Sequence, residues 1–511
     1  KATPHAMDTL IHYLTAERVL LGLTAAVVIL VVRAVTQRRC RPPGPPVWPV
    51  LGSLPYLGED MGVFKKLAEK YGDIYYLELG LFGHNPTIVL NSIDLIREAL
   101  LTKQDDFAGR NRTLIFDMFS ENGKDIVMGD FNETWRYERK IAHTALRKYA
   151  TGHQFQNLME RNVEMISEVF QKAGSEPVDI LKLTSLVFYN VIATLCFGRN
   201  YSMDDPEFNR MRKMIDEASS IFTGFFLSDL HPMFQYIPTP TFPYLRKMKR
   251  NIIDFVSTFI TEHKKTFDEN DIRDFTDYIL HSEQEMKRTG LDEYRVEITD
   301  VHIRLILVDM FFAGTDSSRI ALTWALMFTA ANPEFQKKAQ KEIDDNIGRD
   351  GKITASNRNK IPYCEAILYE TLRLRSPAPM AVPHATTCDT SVGGYEIPKG
   401  TQVMINLMRV HTDPRNFADP EKFNPERFLD EAGNLAPKPA AFLPFSTGRR
   451  QCVGEAFAKS ELHVMFGMLL QRFTFSLPEG KKIDLTPKKN MFLYLPMDDH
   501  TQLVVKERLN Q

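Results

Sequence analysis

The chain has 511 residues, 43% of them hydrophobic, so it is long enough to bury a large core. Its 63 lysines and arginines nearly balance 65 aspartates and glutamates, so no global charge indicates a nucleic-acid partner. The five cysteines are odd in number and irregularly spaced, which argues against a disulfide framework. No Cys-x-x-Cys pair or His/Cys cluster indicates zinc.

The amino-terminal region contains an uncharged apolar stretch over 19–32. A spanning helix needs about 20 residues, so a signal-peptide core is the alternative. Apolar residues of 10–16 can lengthen the stretch, and no A-x-A-like cleavage site accompanies it. The arginines that follow it are Arg33, Arg38, Arg39 and Arg41.

These features favour an uncleaved signal anchor. We expect residues 1–41 to be this anchor with its basic flank, and everything downstream to face the cytoplasm because the positive charges follow the span. The Pro-Pro-Gly-Pro-Pro run that begins at Pro42 cannot continue a helix and predicts a stiff connector over 42–50. The globular part is expected over 51–511.

The globular part is predicted to be mainly α with a small β region. Short strands are expected over 74–79 and 87–90, and apolar residues at three- and four-residue spacing predict helices over most of 92–282. The stretch 299–331 lacks proline and is apolar on nearly every side, which predicts a long, central, buried helix. Further predicted elements are helices over 133–147 and 183–197, a helix ending near Arg375, and short strands within 381–407 and after Met491.

A segment near the carboxyl end carries the strongest motif. Residues 445–454 match the pattern F-x-x-G-x-R-x-C-x-G, with its fixed positions at Phe445, Gly448, Arg450, Cys452 and Gly454. Glycines at 448 and 454 would allow turns and close approach to a flat ligand, and would free N–H groups to lower the pKa of the thiol. Arg450 can pair with a ligand carboxylate, and a helix beginning at 455 would favour negative charge on the sulfur. The alternative is a buried structural cysteine.

The segment resembles the haem-binding loop of the cytochrome P-450 superfamily, with Cys452 at the proximal thiolate position. The resemblance covers nearly all of the chain after the anchor. It implies a triangular helical bundle with a long central helix, and haem b (iron protoporphyrin IX) with an axial cysteine thiolate. Thiolate ligation donates electron density to iron and favours O–O cleavage.

Glu370 and Arg373 form an E-x-x-R pair on one helix face, which on its own would be an ordinary surface ion pair. The Phe-Asn-Pro-Glu-Arg-Phe run at 423–428 follows at the interval that the family shows. The resemblance implies that Arg427 completes a structural cluster with Glu370 and Arg373 that supports the cysteine loop and haem retention.

Residues 313–318 interrupt the apolar run of the long helix. The ordinary explanation is a locally satisfied serine and a paired aspartate. The resemblance implies instead the oxygen-binding site, where Thr315, Asp316 and Ser317 are catalytic candidates and the acid–alcohol pair of Asp316 and Ser317 relays protons. Ala313 and Gly314 would line the cofactor, with Gly314 leaving room for the ligand. Position 317 holds serine, whereas threonine is commoner in the family. Because the rotamers of serine are less restricted, we expect oxygen consumption to be less tightly coupled to product formation.

Other residues match positions that contact a haem propionate in the family. They are Trp135 and Arg139, His384, and Arg110. The alternatives are a packed ring with a surface charge for the first pair and a surface-loop histidine for His384. Several cations around two carboxylates make chemical sense.

The segments around 123–136 and 383–391 look most like animal microsomal steroid 17-hydroxylases and their relatives, which include dioxin-inducible and drug-metabolising groups. A steroid is therefore the leading substrate class, with a xenobiotic or aromatic compound as the other. The candidates for the substrate pocket are Phe222, Ala313, Ala381 and Val382, although such residues are often ordinary core. The basic run 246–250 is either a solvated face or a contact with anionic lipid.

The implied reaction inserts one oxygen of O₂ into a C–H bond of a lipophile. No GxGxxG fingerprint occurs, so electrons must come from a partner. An endoplasmic-reticulum anchor implies the NADPH-dependent diflavin reductase, with cytochrome b5 as a possible second donor. The rivals are a haem-thiolate isomerase or dehydratase acting on a peroxide, against which Asp316 with Ser317 argues, and a haem-binding carrier or sensor.

Overall fold

The computed structural model describes residues 41–58, 61–81, 84–150, 152–202, 205–222, 227–237, 240–289, 298–490, 493–497 and 500–508, together with residues 21, 24 and 296. Apart from residues 21 and 24, the predicted membrane span of 19–32 lies outside the described residues.

The described chain is mainly helical with a small β region, as predicted. Its helices are α1 (Gly62–Tyr71), α2 (Ile93–Arg97), α3 (Leu114–Phe119), α4 (Glu133–Tyr149), α5 (His153–Ala173), α6 (Ile180–Phe197), α7 (Pro206–Phe222), α8 (Leu227–Leu230), α9 (Thr241–Thr266), α10 (Phe275–Thr289), α11 (Asp300–Ala331), α12 (Pro333–Asn346), α13 (Pro362–Leu374), α14 (Leu407–His411) and α15 (Glu455–Arg472). Its strands are β1 (Ile74–Glu78), β2 (Pro86–Leu90), β3 (Val178–Asp179), β4 (His384–Ala385), β5 (Thr390–Val392), β6 (Tyr395–Ile397), β7 (Gln402–Ile405), β8 (Phe473–Ser476) and β9 (Gln502–Glu507).

The strands form three small sheets. The largest has the order β1-β2-β7-β4, in which β2 and β7 are parallel and the other two pairs are antiparallel. A three-stranded antiparallel sheet has the order β3-β9-β8, and β5 with β6 forms a hairpin. The segment expected as a connector packs on the first sheet, since Tyr76 N–H donates to the Pro43 carbonyl at 2.8 Å.

Helix α11 is the long central helix that the sequence predicts. It begins after Thr299, whose side chain caps the first turn, and ends where Asn332 and Pro333 follow. It packs against α6, whose side chains are nearly all buried. Among the described residues α6 is long and apolar enough to cross a membrane, but 78% of it is buried in the protein, which identifies a core helix.

Candidate active site

Cys452 lies in the turn that leads into α15. Its N–H donates to the Phe445 carbonyl at 3.0 Å and closes the loop, and the Gly454 N–H donates to the sulfur. Gly448 has a φ of 77°, and a Cβ there would lie 2.0 Å from the Leu100 carbonyl oxygen. Only glycine fits at 448, as the motif predicts.

The same explanation is wrong for Gly454. Its φ is −89°, which any residue can adopt, and a Cβ at this position would lie 3.9 Å from the Cys452 sulfur in ordinary contact. Its role in the loop is therefore the N–H that it directs at the sulfur, rather than a special backbone conformation.

The Gly454 N–H lowers the pKa of the Cys452 thiol as predicted, but the net shift of that pKa is upward. Burial raises the pKa of Cys452, and it outweighs both the Gly454 N–H and the nearby Arg139, while Glu455 raises the pKa further. The side chain is nevertheless exposed. An exposed group that the protein desolvates lies on the wall of an internal recess. A cation bound to the sulfur would hold it as thiolate, as metals do.

The central helix presents one open face in its middle. Ala313 and Ser317 are exposed although they lie within a helix that is otherwise largely buried, and their four-residue spacing places them on the same face. Val382 is 37% exposed, and Ala381 beside it is half-buried with a φ of 51°. Three of the four predicted pocket residues are thus accessible; the fourth, Phe222, is the last residue of α7 and its pocket role stays a prediction.

The other candidates on this helix point elsewhere. Thr315 is fully buried and its hydroxyl donates to the Phe311 carbonyl at 2.7 Å, so it is not part of the open face. A Cβ on Gly314 would lie 2.6 Å from Ile192 Cδ1. The glycine therefore lets α6 approach α11, and the expectation that it leaves room for a ligand is wrong.

Asp316 and Ser317 leave the helix in different directions. Asp316 accepts from Arg319 Nε at 2.7 Å and is buried, whereas the Ser317 hydroxyl donates to the Ala313 carbonyl at 2.7 Å on the open face. Both side chains thus have the local partners that the ordinary explanation predicts. The next residue, Ser318, donates to the buried Glu461 and joins α11 to α15, the helix that follows Cys452.

The predicted propionate-contacting residues meet at one place, which we call the cationic wall. It consists of Arg110, Trp135, Arg139, His384 and Arg450. Arg110 donates from Nε to the Val127 carbonyl at 2.9 Å and from Nη1 to the Val382 carbonyl at 2.8 Å. Arg450 donates to the Ala108 carbonyl at 2.8 Å and the Gly129 carbonyl at 2.6 Å.

The Trp135 ring supports this wall. The guanidinium carbons of Arg450 and Arg139 lie 4.0 Å and 5.5 Å from its centroid. Its indole N–H donates to the Ile126 carbonyl at 2.9 Å, so Trp135 contributes to the wall by stacking under the cations. Arg139 also donates to the Gln451 carbonyl, which ties α4 to the cysteine loop.

His384 is not the surface-loop residue of the alternative interpretation, because it is buried in β4. Its Nδ1 lies 2.8 Å from the Phe107 carbonyl, to which it must donate. Burial and the charge of Arg110 lower the pKa of His384 to about 3. Nε2 would donate to a carboxylate only on the imidazolium, which a neighbouring anion favours.

The wall fits an anionic group. Burial and the mutual repulsion of the guanidiniums lower the pKa of Arg110 to about 9 and that of Arg450 to about 8. Their hydrogen bonds go to neutral carbonyls, and two carboxylates placed here would relieve the repulsion. A sulfur donor and a cationic wall together suit an iron porphyrin with its propionates.

The predicted support cluster is formed. Glu370 accepts from Arg373 Nε and Nη2, both at 2.7 Å, and from Arg427 Nε at 3.1 Å. Arg373 also donates to the His411 carbonyl at 2.7 Å, and His411 Nε2 accepts from the Leu443 N–H at 3.0 Å. The cluster thus reaches the start of the cysteine loop through two hydrogen bonds at His411.

Sequence reasoning missed a group of buried acids beside the wall, which we call the acidic trio: Asp125, Glu138 and Asp309. Burial raises the pKa of Asp125 to about 6, and burial with Asp125 raises that of Glu138 to about 8. Among the described residues Glu138 Oε1 has no hydrogen-bond partner. The available signal was Asp309, an acid within the apolar run of α11, one turn before Ala313.

The helical fold, the Cys452 sulfur and the cationic wall together are typical of the haem-thiolate class of proteins. The chain belongs to the cytochrome P450 family: the family model described as Cytochrome P450 matches residues 42–502. It is 35% identical to a steroid 17-alpha-hydroxylase/17,20 lyase of Ictalurus punctatus, over 86% of each chain. It is 32% identical to a cytochrome P450 1A1 of Canis lupus familiaris, over 96% of each chain.

A solved structure described as a zebra fish cytochrome P450 with progesterone superposes with a TM-score of 0.77 at 29% identity, covering 87% of this chain and 99% of that one. The predicted P450 fold is therefore confirmed for the described part of the chain. The protein is an oxidoreductase of the P450 monooxygenase family, in which a cysteine thiolate ligates haem iron.

Proposed function

We propose that this protein hydroxylates a steroid, in the manner of a 17-hydroxylase, with electrons from NADPH delivered by a diflavin reductase. The observation that carries the proposal is the open face of α11, where Ala313 and Ser317 are the only exposed residues after the first residue of the helix. A flat, rigid lipophile suits such a face. Support comes from the relative named as a steroid 17-alpha-hydroxylase and from the neighbour whose description includes progesterone.

The bound haem would supply oxygen activation. Cys452 would ligate its iron from the side of α15, and the cationic wall would hold its carboxylates. Ala313 and Val382 would bound the substrate through apolar contact, and their exposure leaves them available for it.

Proton delivery is assigned to Asp316 and Ser317. Asp316 would carry protons from the side of Arg319, which holds it at 2.7 Å, by rotating toward the open face. The Ser317 hydroxyl would pass them on by exchanging its hydrogen bond to the Ala313 carbonyl. Serine rotates more freely than threonine at this position.

This freedom gives a prediction for coupling. Ser317→Thr should lower the peroxide released per NADPH consumed, by about twofold to fivefold, because the added methyl restricts the hydroxyl. Peroxide and product are measured together with saturating substrate, and Thr315→Ser, which removes a methyl group away from the open face, is the control. Unchanged peroxide release in Ser317→Thr would remove this explanation.

The electron donor would dock beside the cysteine loop. A cavity of about 490 Å³ lies there, lined in part by Arg136, Arg139 and Arg449 together with Gly448 and Gln451. Arginines around an opening next to the thiolate suit an acidic surface on the reductase, and cytochrome b5 would use the same charges.

We place the protein on the endoplasmic reticulum membrane with its catalytic domain in the cytoplasm. The expected anchor over 1–41 leads into an exposed apolar segment with Trp48, Val50 and Leu51. A second exposed apolar group, Met233, Tyr236 and Ile237, follows α8, which contacts the β1–β2 turn through the hydrogen bond from Asn85 to the Asp229 carbonyl. Both groups would contact lipid, and the basic run 246–250 would meet its anionic headgroups.

The deciding experiment uses the full chain reduced with dithionite under carbon monoxide. A strongly red-shifted Soret band is expected, and Cys452→Ser should abolish it. Progesterone should then give a type I spectral shift and, with reductase and NADPH, a product one oxygen heavier. A Soret band typical of histidine-ligated haem would contradict the site. Binding and turnover of a planar aromatic compound in place of every steroid tested would contradict the substrate class.

A further inference from the structure

Asp309 is the member of the acidic trio that lies on the central helix. It is one turn before Ala313 and two turns before Ser317, so it lies on the same side of the helix as the open face. Its Oδ2 accepts from the Ile126 N–H at 2.8 Å and the Val127 N–H at 3.2 Å. The side chain is buried.

The same two residues hold the wall from their other side. The Ile126 carbonyl accepts from Trp135 Nε1 at 2.9 Å and from Arg450 Nη1 at 3.5 Å. The Val127 carbonyl accepts from Arg110 Nε at 2.9 Å. Residues 126–127 therefore have their N–H groups on the central helix and their carbonyls on the wall.

Peptide geometry couples these two sets of bonds. The Ile126 carbonyl and the Val127 N–H belong to one planar trans peptide, because no described peptide bond is cis. In a trans peptide the N–H and C=O point in opposite directions. An acceptor that fixes the Val127 N–H on the side of α11 thus directs the Ile126 carbonyl toward Trp135 and Arg450.

We propose that Asp309 is a positioning residue for the cofactor: by fixing the backbone of 126–127, it sets the placement of the guanidiniums that hold the cofactor carboxylates. This inference rests on the proposed haem-binding role of the wall. Without an acceptor at 309, the N–H groups of buried Ile126 and half-buried Val127 lose their partner and the peptide planes are free to turn. The arginines and Trp135 would then lose the carbonyls that orient them.

The hydrogen-bonding demand can be met by a neutral group. Burial and the neighbouring Asp125 raise the pKa of Asp309, which favours the uncharged acid. Asparagine has nearly the same shape and keeps one acceptor oxygen. Asp309→Asn should therefore retain the positioning function, whereas Asp309→Ala removes it.

The test is the rate at which the ferric protein loses haem to an excess of apomyoglobin. Asp309→Ala should lose haem about tenfold faster than wild type, as when groups that orient a metal site are removed, while Asp309→Asn should stay within about threefold. Asp309→Ser, whose oxygen is too short to span both N–H groups, should be intermediate, and it replaces Asp309→Ala if that variant does not fold.

The matched control is Gln336→Ala. Gln336 is also buried and also ties down a backbone, donating to the Phe475 carbonyl at 2.8 Å and accepting from its N–H at 2.7 Å, but it contacts no wall residue. Its loss should destabilise the fold without faster haem loss. A double-mutant cycle with Arg110→Ala adds a second arm: the effects of Asp309→Ala and Arg110→Ala should be non-additive if both act through residue 127.

Haem loss from Asp309→Ala at the wild-type rate would overturn the proposal, as would strict additivity in the cycle or Asp309→Asn as fast as Asp309→Ala. The carbon monoxide spectrum of the wild type distinguishes failure of the proposed function from failure of the role of Asp309. If its red-shifted band is missing, the proposed function itself fails. If the band is present and the variants behave like wild type, only the role of Asp309 fails.

Discussion

In the support cluster one buried carboxylate meets two guanidiniums; in the acidic trio three buried carboxyls lie together beside the wall. Glu370 is fully buried, and both Arg373 and Arg427 donate to it. Glu138 is also buried, but no cation among the described residues offsets its burial. Desolvation and the neighbouring Asp125 both raise its pKa. The first site holds charge by pairing it, whereas burial favours the protonated form of Glu138 and Asp309 in the second.

The difference teaches which sites respond to pH and which do not. A buried ion pair loses much of its stability when one partner is removed. A site with a buried protonated acid tolerates replacement of the acid by its amide, but it becomes less stable when rising pH ionises the acid. Substitutions that exchange acids for amides, or delete one partner, therefore separate the two modes.

The largest effect is expected at the support cluster. Arg373→Ala leaves Glu370 buried with half of its partners, and it should lower the free energy of unfolding by about 3–5 kcal/mol and prevent haem retention. Thermal unfolding and the carbon monoxide spectrum measure both effects. A variant that keeps its haem and its unfolding temperature would show that Arg427 and the Asn424 N–H suffice for Glu370, and would contradict the expected cost of removing one partner.

A smaller, pH-dependent effect is expected at Glu138. Burial and Asp125 raise the pKa of Glu138 from 4.5 to about 8, so the folded protein binds this proton more tightly than the unfolded chain does. Its contribution to stability is fully present below pH 4.5, falls as pH rises, and is lost above about 8. Glu138→Gln removes the titration, so its unfolding temperature should fall less than that of wild type between pH 5 and 8.5. Parallel curves for the two proteins would mean that Glu138 is ionised throughout.

Replacing the buried acid Glu461 by its amide should have a smaller effect on the free energy of unfolding at neutral pH. Burial raises its pKa to about 8, against the hydrogen bond from Ser318. Glu461→Gln keeps an acceptor for that hydroxyl, so the free energy of unfolding at pH 7 should change by less than about 1.5 kcal/mol, the net value of one hydrogen bond. Glu461→Ala, which deletes the acceptor, should be clearly worse in the same denaturant titration. Equal losses in both variants would indicate that the charge itself is needed.

The smallest effect is expected where charge is not buried. Arg288 and Glu285 form an exposed pair at 3.2 Å on α10. Arg288→Ala should change the free energy of unfolding by no more than about 0.5 kcal/mol, because solvent screens such pairs. Denaturant titration in low and high salt measures this change in free energy. A loss comparable to that of Arg373→Ala would contradict the claim that burial makes the support cluster more important for stability than an exposed ion pair.

Sequence patterns predicted the elements with long uniform periodicity. The central helix, predicted over 299–331, begins at Asp300 and ends at Ala331, because Thr299 caps it and Pro333 stops its continuation. The cluster of Glu370, Arg373 and Arg427 was also predicted, through the resemblance, and the structure forms it.

What sequence could not give is direction around a helix and the balance of opposing effects. The role of Gly314 depended on Ile192 from another helix, and the pKa of Cys452 depended on burial that no local pattern reveals. The acidic trio escaped notice for the same reason. Its members come from a loop, α4 and α11, and only the tertiary fold brings them together.

The link from the support cluster through His411 to Leu443 also bears on the order of assembly during synthesis. Every residue in it lies between 370 and 443, ahead of Cys452 in the chain. The cationic wall instead joins residues from 110 to 450, and contacts between distant segments form more slowly than local ones. The nascent chain can therefore complete the support for its cysteine loop before the segments that form the wall come together.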